Sequence, residues 1–192
     1  TGLWHQGRGW DSDFQRISPG HWNRGQGWVL RGIVESLCYL PKDYAKTGFM
    51  LQMLTEFADS LIKYQDSRGL WHQLTDDPAA YPETSGTAMF IHYFYRAIYN
   101  GWLPPKTYLP VVEKALGALV GFIHQDGLVS NTSHGSGPLM TLEGYLHRPS
   151  VPGDAHSIGT TLMACAAPYL GSHKILGGTR FYRRSETTNT IS

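Results

Sequence analysis

From Phe49 onward, Phe49, Met50, Met53, Leu54, Phe57, Ala58, Leu61 and Ile62 fall in pairs every four positions, an apolar stripe along one side of a helix. A second stripe runs through Tyr108, Val111, Val112, Ala115, Leu116, Leu119, Phe122 and Ile123, after Pro104 and Pro105 and before the turn signal Asp126-Gly127. Both patterns predict helices with one wet face. The segments 28–40, 86–99 and 158–167 predict helices of another kind: 88–99 is apolar nearly all round, and a helix without a polar face is buried on several sides. No strand-length alternation flanked by hairpin dipeptides competes with this helical reading.

The helices recur in a fixed order. GLWHQ occurs at 2–6 and again at 69–73, and HQDGLVS at 124–130 echoes QDSRGLW at 65–71. Internal repeats of this kind mark supersecondary units. Each unit reads as a polar loop, a buried helix, a short connection that contains proline, an amphipathic helix and a GLW-like turn. The loops ahead of the buried helices are HWNRGQGW, DDPAAYPETSGT and RPSVPGDAHSIGT. Two layers follow, with the buried helices inside, the amphipathic helices outside and the polar loops gathered at one end. A plain helical bundle is the alternative, but it gives no reason for one class of loop to hold the unusual polar and aromatic residues in every unit.

Composition narrows the function classes. Sixteen Lys and Arg against fifteen Asp and Glu give a net charge of +1 with no long basic run, which argues against nucleic acid and anionic membrane surfaces as partners. No stretch approaches a membrane span, and no leader pattern opens the chain. Cys38 and Cys165 lie inside apolar helical patterns and read as buried free thiols, so the compartment stays open, cytoplasmic or secreted. The aromatic share is 12%, with six Trp and eleven Tyr, which core filling or a sugar-stacking surface would explain. The chain starts on Thr1 with a polar, aromatic run, and the expectation is a partial domain over 1–176 followed by an irregular polar tail over 177–192.

The candidate chemistry lies in the loops. Trp22, Arg24, Gln26 and Trp28 alternate where a buried helix begins, and a helix N-terminus with a guanidinium is suited to an anion. An Arg24 salt-bridged between core tryptophans is the structural alternative. His5 and His72 hold equivalent places in the two GLWHQ copies, which fits either ligand contact or a repeated structural hydrogen bond. Asp76, Asp77, Glu83 and Asp154 precede helices; Glu83 and Asp154 in particular fit N-cap positions. The nine histidines form no HExxH-type pair, so no metal and no cofactor is expected. No GxSxG elbow or phosphate-cradling loop is present.

Together, HWNRGQGWVLRGIVESLCYLP, GLWHQLTDDPAAYPETSGTAMF and RPSVPGDAHSIGTTLMACA resemble the unsaturated rhamnogalacturonyl hydrolases of glycoside hydrolase families 105 and 88. The motifs W-x-R-G-x-x-W and W-H-Q-x-x-D-D-P with E-T-S carry the resemblance, which spans positions 2 to about 170. It implies an all-α fold, the (α/α)6 six-hairpin toroid or barrel, of which this chain would hold a C-terminal half of about five helices. The implied substrate is an oligosaccharide ending in a 4,5-unsaturated uronic acid. In the implied reaction a carboxyl group protonates C4, water adds at C5, and the resulting hemiketal opens to release the remaining sugar. That chemistry needs a carboxyl that is first an acid and then a base.

Matched by motif, the resemblance implies that Arg24 binds the uronate carboxylate, Trp22 and Trp28 form stacking walls, His5 contacts the unsaturated ring, and Asp154 and His156 stand at the rim. The principal catalytic aspartate of the family lies well ahead of the W-x-R-G motif, at a place before residue 1, and no local carboxylate replaces it. The expected partner is therefore an N-terminal half of the barrel. Two other readings compete, a non-catalytic carbohydrate-binding remnant and another α/α-toroid sugar enzyme, either an epimerase or a lyase.

Overall fold

A computed structural model describes residues 1–173 except 11, 42 and 136. Among the described residues, six helices follow one another: α1 (Asn23–Tyr39), α2 (Thr47–Ile62), α3 (Thr84–Tyr99), α4 (Pro105–Val120), the short α5 (Leu142–Leu146) and α6 (Ala155–Ser172). Isolated β-bridges occur among the described residues, without strands. The tail expected over 177–192 lies outside the described residues.

The two expected layers are present. α3 packs against α1 and α6 on either side and against α4 behind, while α2 packs against α1. Every residue of α3 from Thr84 to Tyr95 is buried, as its nearly continuous apolar pattern requires. α2 and α4 each bury one stripe, Leu54, Phe57, Ala58 and Leu61 in α2, and Tyr108, Val112, Ala115 and Leu119 in α4. The second stripe was expected to stay helical to Ile123, but α4 ends at Val120 because Ile123 pairs with Val129 across the next turn.

α1 and α6, the two ends of the inner row, keep one open side each. Ile158, Leu162, Cys165 and Tyr169 follow one another at helical spacing and are exposed on α6. Cys38 is buried as expected, and Cys165 is not: nothing among the described residues covers its side of α6. On α1, Trp28 and Tyr39 are exposed beside Arg31, Gly32, Glu35 and Ser36, along a groove of about 570 Å³.

The repeated GLW turns are real structural repeats. Gly2, Gly69 and Gly127 all have positive φ, and the following Leu3, Leu70 and Leu128 each donate the backbone N–H to a side-chain oxygen, of Thr1, Asp66 and Asp126 respectively. The two tryptophans of the repeat differ. Trp71 is fully buried, donates its indole N–H to the Leu61 carbonyl at 2.7 Å and meets Phe90 edge-on, whereas Trp4 is 46% exposed.

Each turn feeds a loop that returns to the N-terminus of an inner helix, and these loops are laced together there. Trp22 bridges Leu74, His72 bridges Pro82, and Ser133 bridges Ser150. Gly86 lets α3 approach α1: a methyl group on it would stand 2.7 Å from the Asn23 side chain and 2.8 Å from the Asn23 backbone. The N-termini of α1, α3 and α6, with their polar residues, thereby gather at one end of the inner layer.

Candidate functional site

The inner helices begin two to five residues earlier than the apolar pattern indicated. Trp22 is the N-cap position of α1, and Arg24 and Gln26 stand in its first turn. Arg24 is 1% exposed, so its guanidinium is satisfied from inside: Nη1 donates to Ser85 Oγ at 3.0 Å and to the Ser133 carbonyl at 2.7 Å. Nη2 is buried and has no partner. Burial pushes Arg24 below its ordinary pKa, opposed first by Glu83 and then by Asp154 and Tyr81.

Glu83 anchors this region. It is fully buried, caps α3 by accepting from the backbone N–H groups of Ser85 and Gly86, accepts a hydrogen bond from the Ser85 hydroxyl at 2.6 Å and accepts the Ser133 N–H at 3.1 Å. Asp154 likewise caps α6, accepting the His156 N–H at 2.9 Å and the His156 ring Nδ1–H at 2.7 Å. Burial raises the Asp154 pKa, but these hydrogen bonds and the charges of His156 and Arg24 outweigh it and hold the carboxyl below its ordinary value. A side chain added at Gly135 would meet Arg24 Nη2 at 3.5 Å and His156 Cε1 at 3.7 Å. Arg24 and His156, far apart in sequence, thus meet at one point beside Gly135, and Asp154 joins them through its hydrogen bond to His156 and its charge interaction with Arg24.

The tryptophans take other places than the motif suggested. Trp22 is 6% exposed, its indole N–H donates to Ser133 Oγ at 3.0 Å, and the guanidinium carbons of Arg24 and Arg148 each lie 4.6 Å from its ring centroid. It is an inner support for two cations in place of an open wall for sugar. Trp28, six residues further along α1, is 42% exposed and carries Arg31 at 5.3 Å. Arg24 therefore stacks on one indole and not between two.

His5 is exposed, and its Nδ1 donates to the Ser18 carbonyl at 2.6 Å, which leaves Nε2 without the ring proton in the neutral form. Its ring lies 4.5 Å from that of His21, whose Nδ1 meets Asp76 at 2.8 Å. Gln26 ties this first GLWHQ copy to α1 through the backbone N–H and carbonyl of Trp4. His72, the repeat counterpart of His5, pairs with Asp66 and belongs to the turn.

Arg148, Ser133, Ser85 and His21 escaped the sequence reading. Arg148 is 4% exposed, follows α5, and lies over both Trp22 and the buried Tyr145, at 4.6 and 5.0 Å. An arginine before a proline in a loop with few charges was the available signal. Among the described residues, no group of three His, Cys, Asp or Glu side chains is arranged to hold a metal ion.

Comparison with known proteins decides the family. Residues 1–169 match the family described as Glycosyl Hydrolase Family 88. The chain belongs to that family. It is 27% identical over 158 residues to the unsaturated rhamnogalacturonyl hydrolase YesR of Bacillus subtilis, covering 81% of this chain and 44% of that protein. It is 29% identical over 183 residues to Protein Atu3128 of Agrobacterium fabrum, covering 84% of this chain and 77% of that one. A crystal structure from Salmonella enterica, described as a possible member of the GH105 family, superposes with a TM-score of 0.80 at 32% identity, over 90% of this chain and 45% of that one. The fold is that of the six-hairpin α/α toroids, and this chain spans about half of one. It likewise spans less than half the length of YesR.

Proposed function

We propose that this chain supplies the acid-recognising wall of a glycoside hydrolase that acts on unsaturated rhamnogalacturonan or related pectin oligosaccharides. Arg24 takes the carboxylate of the terminal unsaturated uronic acid, His156 and Asp154 border that ring, and His5 and Trp28 contact the sugar along α1. One observation carries the reading: a buried guanidinium keeps an unpartnered Nη2 at the point where Gly135 and His156 converge. A carboxylate placed there would meet a charge-assisted donor in a site shielded from water.

Hydration of the 4,5 double bond adds a proton at C4 and a hydroxyl at C5, and the resulting hemiketal opens to release the neighbouring sugar. In the proposed division of labour, the residues described here hold and orient the uronate, and the carboxyl that gives the proton comes from an N-terminal half of the toroid. The open side of α6 supports this division, because Ile158, Leu162 and Tyr169 form an exposed apolar stripe that no described residue covers, and Trp28 and Tyr39 are likewise exposed on the open side of α1.

Calorimetric titration with an unsaturated galacturonyl-rhamnose disaccharide, read together with the ultraviolet absorbance of its vinyl ether, tests both parts. Binding with the absorbance unchanged is expected of this chain alone. Absence of binding would overturn the recognition reading, and loss of absorbance would overturn the assignment of the proton donor to another segment.

A further inference from the structure

The two copies of GLWHQ are pinned at equivalent places, and the pins differ. Thr87 and Gln26 are each the fourth residue of an inner helix, α3 and α1 respectively. Thr87 Oγ1 accepts the backbone N–H of Trp71 at 3.2 Å, and Gln26 Oε1 accepts that of Trp4 at 2.9 Å. In the second copy the Trp71 carbonyl accepts the backbone N–H of Glu83 at 2.8 Å, whereas in the first the Trp4 carbonyl accepts from Gln26 itself, through Nε2 at 2.6 Å. One unit divides the two bonds between a hydroxyl and the main chain. The other assigns both to a carboxamide that is 1% exposed.

The histidines that follow also differ. His72 turns back to Asp66 through Nε2 at 3.3 Å, and its Nδ1 is buried. His5 is exposed, places Nδ1 on the Ser18 carbonyl and keeps Nε2 as an acceptor. Its ring centroid lies 4.5 Å from that of His21, which Asp76 holds through Nδ1 at 2.8 Å. An exposed side chain is thus fixed by a carbonyl at one nitrogen, by a second ring beside it and by Gln26 at the residue before it. Ordering a surface side chain costs conformational entropy, and what it gains is a preorganised contact for a ligand. Arg24 and Gln26 stand two positions apart in the first turn of α1, so they leave the helix in different directions, one toward Ser85 and Ser133 and the other toward Trp4.

We propose that Gln26 is a positioning residue of this site: by clamping both backbone groups of Trp4 it fixes where the His5 imidazole stands relative to Arg24, so that Nε2 accepts a hydrogen bond from a hydroxyl of the uronate ring. The inference rests on the sugar-contact reading of His5 and deepens it, naming the ring nitrogen that makes the contact and the side chain that holds it in place. Gln26 touches no ligand in this account and acts through His5. His21, held by Asp76, supports the same ring.

A double-mutant cycle tests the inference, with unsaturated galacturonyl-rhamnose titrated into the unsubstituted chain, Gln26→Met, His5→Ala and the double variant. Gln26→Met is expected to lower affinity at least about tenfold when His5 is present and less than about twofold when it is absent. The preference for the free acid over its methyl ester is expected to survive in Gln26→Met, because Arg24 keeps its own partners. Equal losses in both backgrounds would make Gln26 a structural prop and would overturn the inference. The imidazole nitrogen resonances of His5 give a reading that needs no sugar. In mildly alkaline solution, where imidazoles are neutral, the unsubstituted chain is expected to show one tautomer, protonated at Nδ1, and Gln26→Met a mixture of two. A mixture in the unsubstituted chain would overturn the inference even where Gln26→Met fails to fold, and a single tautomer in both chains would overturn it as well. If no uronide binds, yet the single tautomer of His5 depends on Gln26, the uronate reading fails and the clamp on His5 stands.

Discussion

Glu83 reaches Arg24 through the hydroxyl of Ser85. The hydroxyl donates to Glu83 Oε1 at 2.6 Å and accepts from Arg24 Nη1 at 3.0 Å, so one buried carboxylate and one buried guanidinium share a single serine. Removing the carboxylate leaves a buried cation short of its countercharge. Glu83→Gln is expected to cost about 3 kcal/mol of stability. Ser85→Ala, which removes one neutral link, is expected to cost about 1 kcal/mol. Chemical denaturation measures both, and equal small losses would mean that Arg24 does not depend on Glu83.

The two GLWHQ copies make a paired prediction. Trp71 is fully buried with its indole N–H bonded, and Trp71→Ala is expected to cost about 4 kcal/mol. Trp4 is 46% exposed, and Trp4→Ala is expected to cost less than about 1 kcal/mol. Comparable losses in thermal or chemical unfolding would show that both copies are structural in the same way.

Asp66 governs part of the acid stability. Burial raises its pKa, but hydrogen bonds from the Leu70, Arg68 and His72 groups outweigh burial and hold it at about 2, against an ordinary 3.8. A depressed folded-state pKa contributes stability that is fully present above 3.8 and is lost as pH falls toward about 2. With a side chain only 15% exposed, the contribution is about 2 kcal/mol. Asp66→Asn is expected to lower the melting temperature at neutral pH and to flatten its fall between these two pKa values; an unchanged acid slope would contradict the assignment.

Trp28 should separate binding from folding. Its ring is 42% exposed on α1, so Trp28→Ala is expected to change stability by less than about 1 kcal/mol. Loss of a stacking face is expected to weaken affinity for the unsaturated disaccharide by about 1 kcal/mol. Unchanged affinity in the titration would remove Trp28 from the sugar path.

The helices were legible in the sequence because burial imposes a period: the stripes of α2 and α4 and the nearly unbroken apolar run of α3 follow directly from which sides meet protein. The starts of α1, α3 and α6 were not, since Asn23, Thr84 and Ala155 open helices with polar or small residues that the apolar pattern does not count. α5 is too short to display a period, and Tyr145 on it completes the packing around Trp22 and Leu74. In the site, the convergence of Arg24 with Asp154 and His156 depends on bridges between distant loops. The burial of Trp22 depends on Arg148, a residue that no local motif connects to it. Spacing along one segment indicated two indoles for Arg24, whereas packing gave one of them to Arg31.

The central claim is that the Arg24 guanidinium recognises the uronate carboxylate. Titrating the chain with unsaturated galacturonyl-rhamnose and with its methyl ester, before and after Arg24→Gln, measures that contact directly. The free acid is expected to bind at least about tenfold more tightly than the ester, equivalent to roughly 1.4 kcal/mol, and Arg24→Gln is expected to abolish the difference. A preference for the acid that survives Arg24→Gln would place the carboxylate elsewhere and contradict the account.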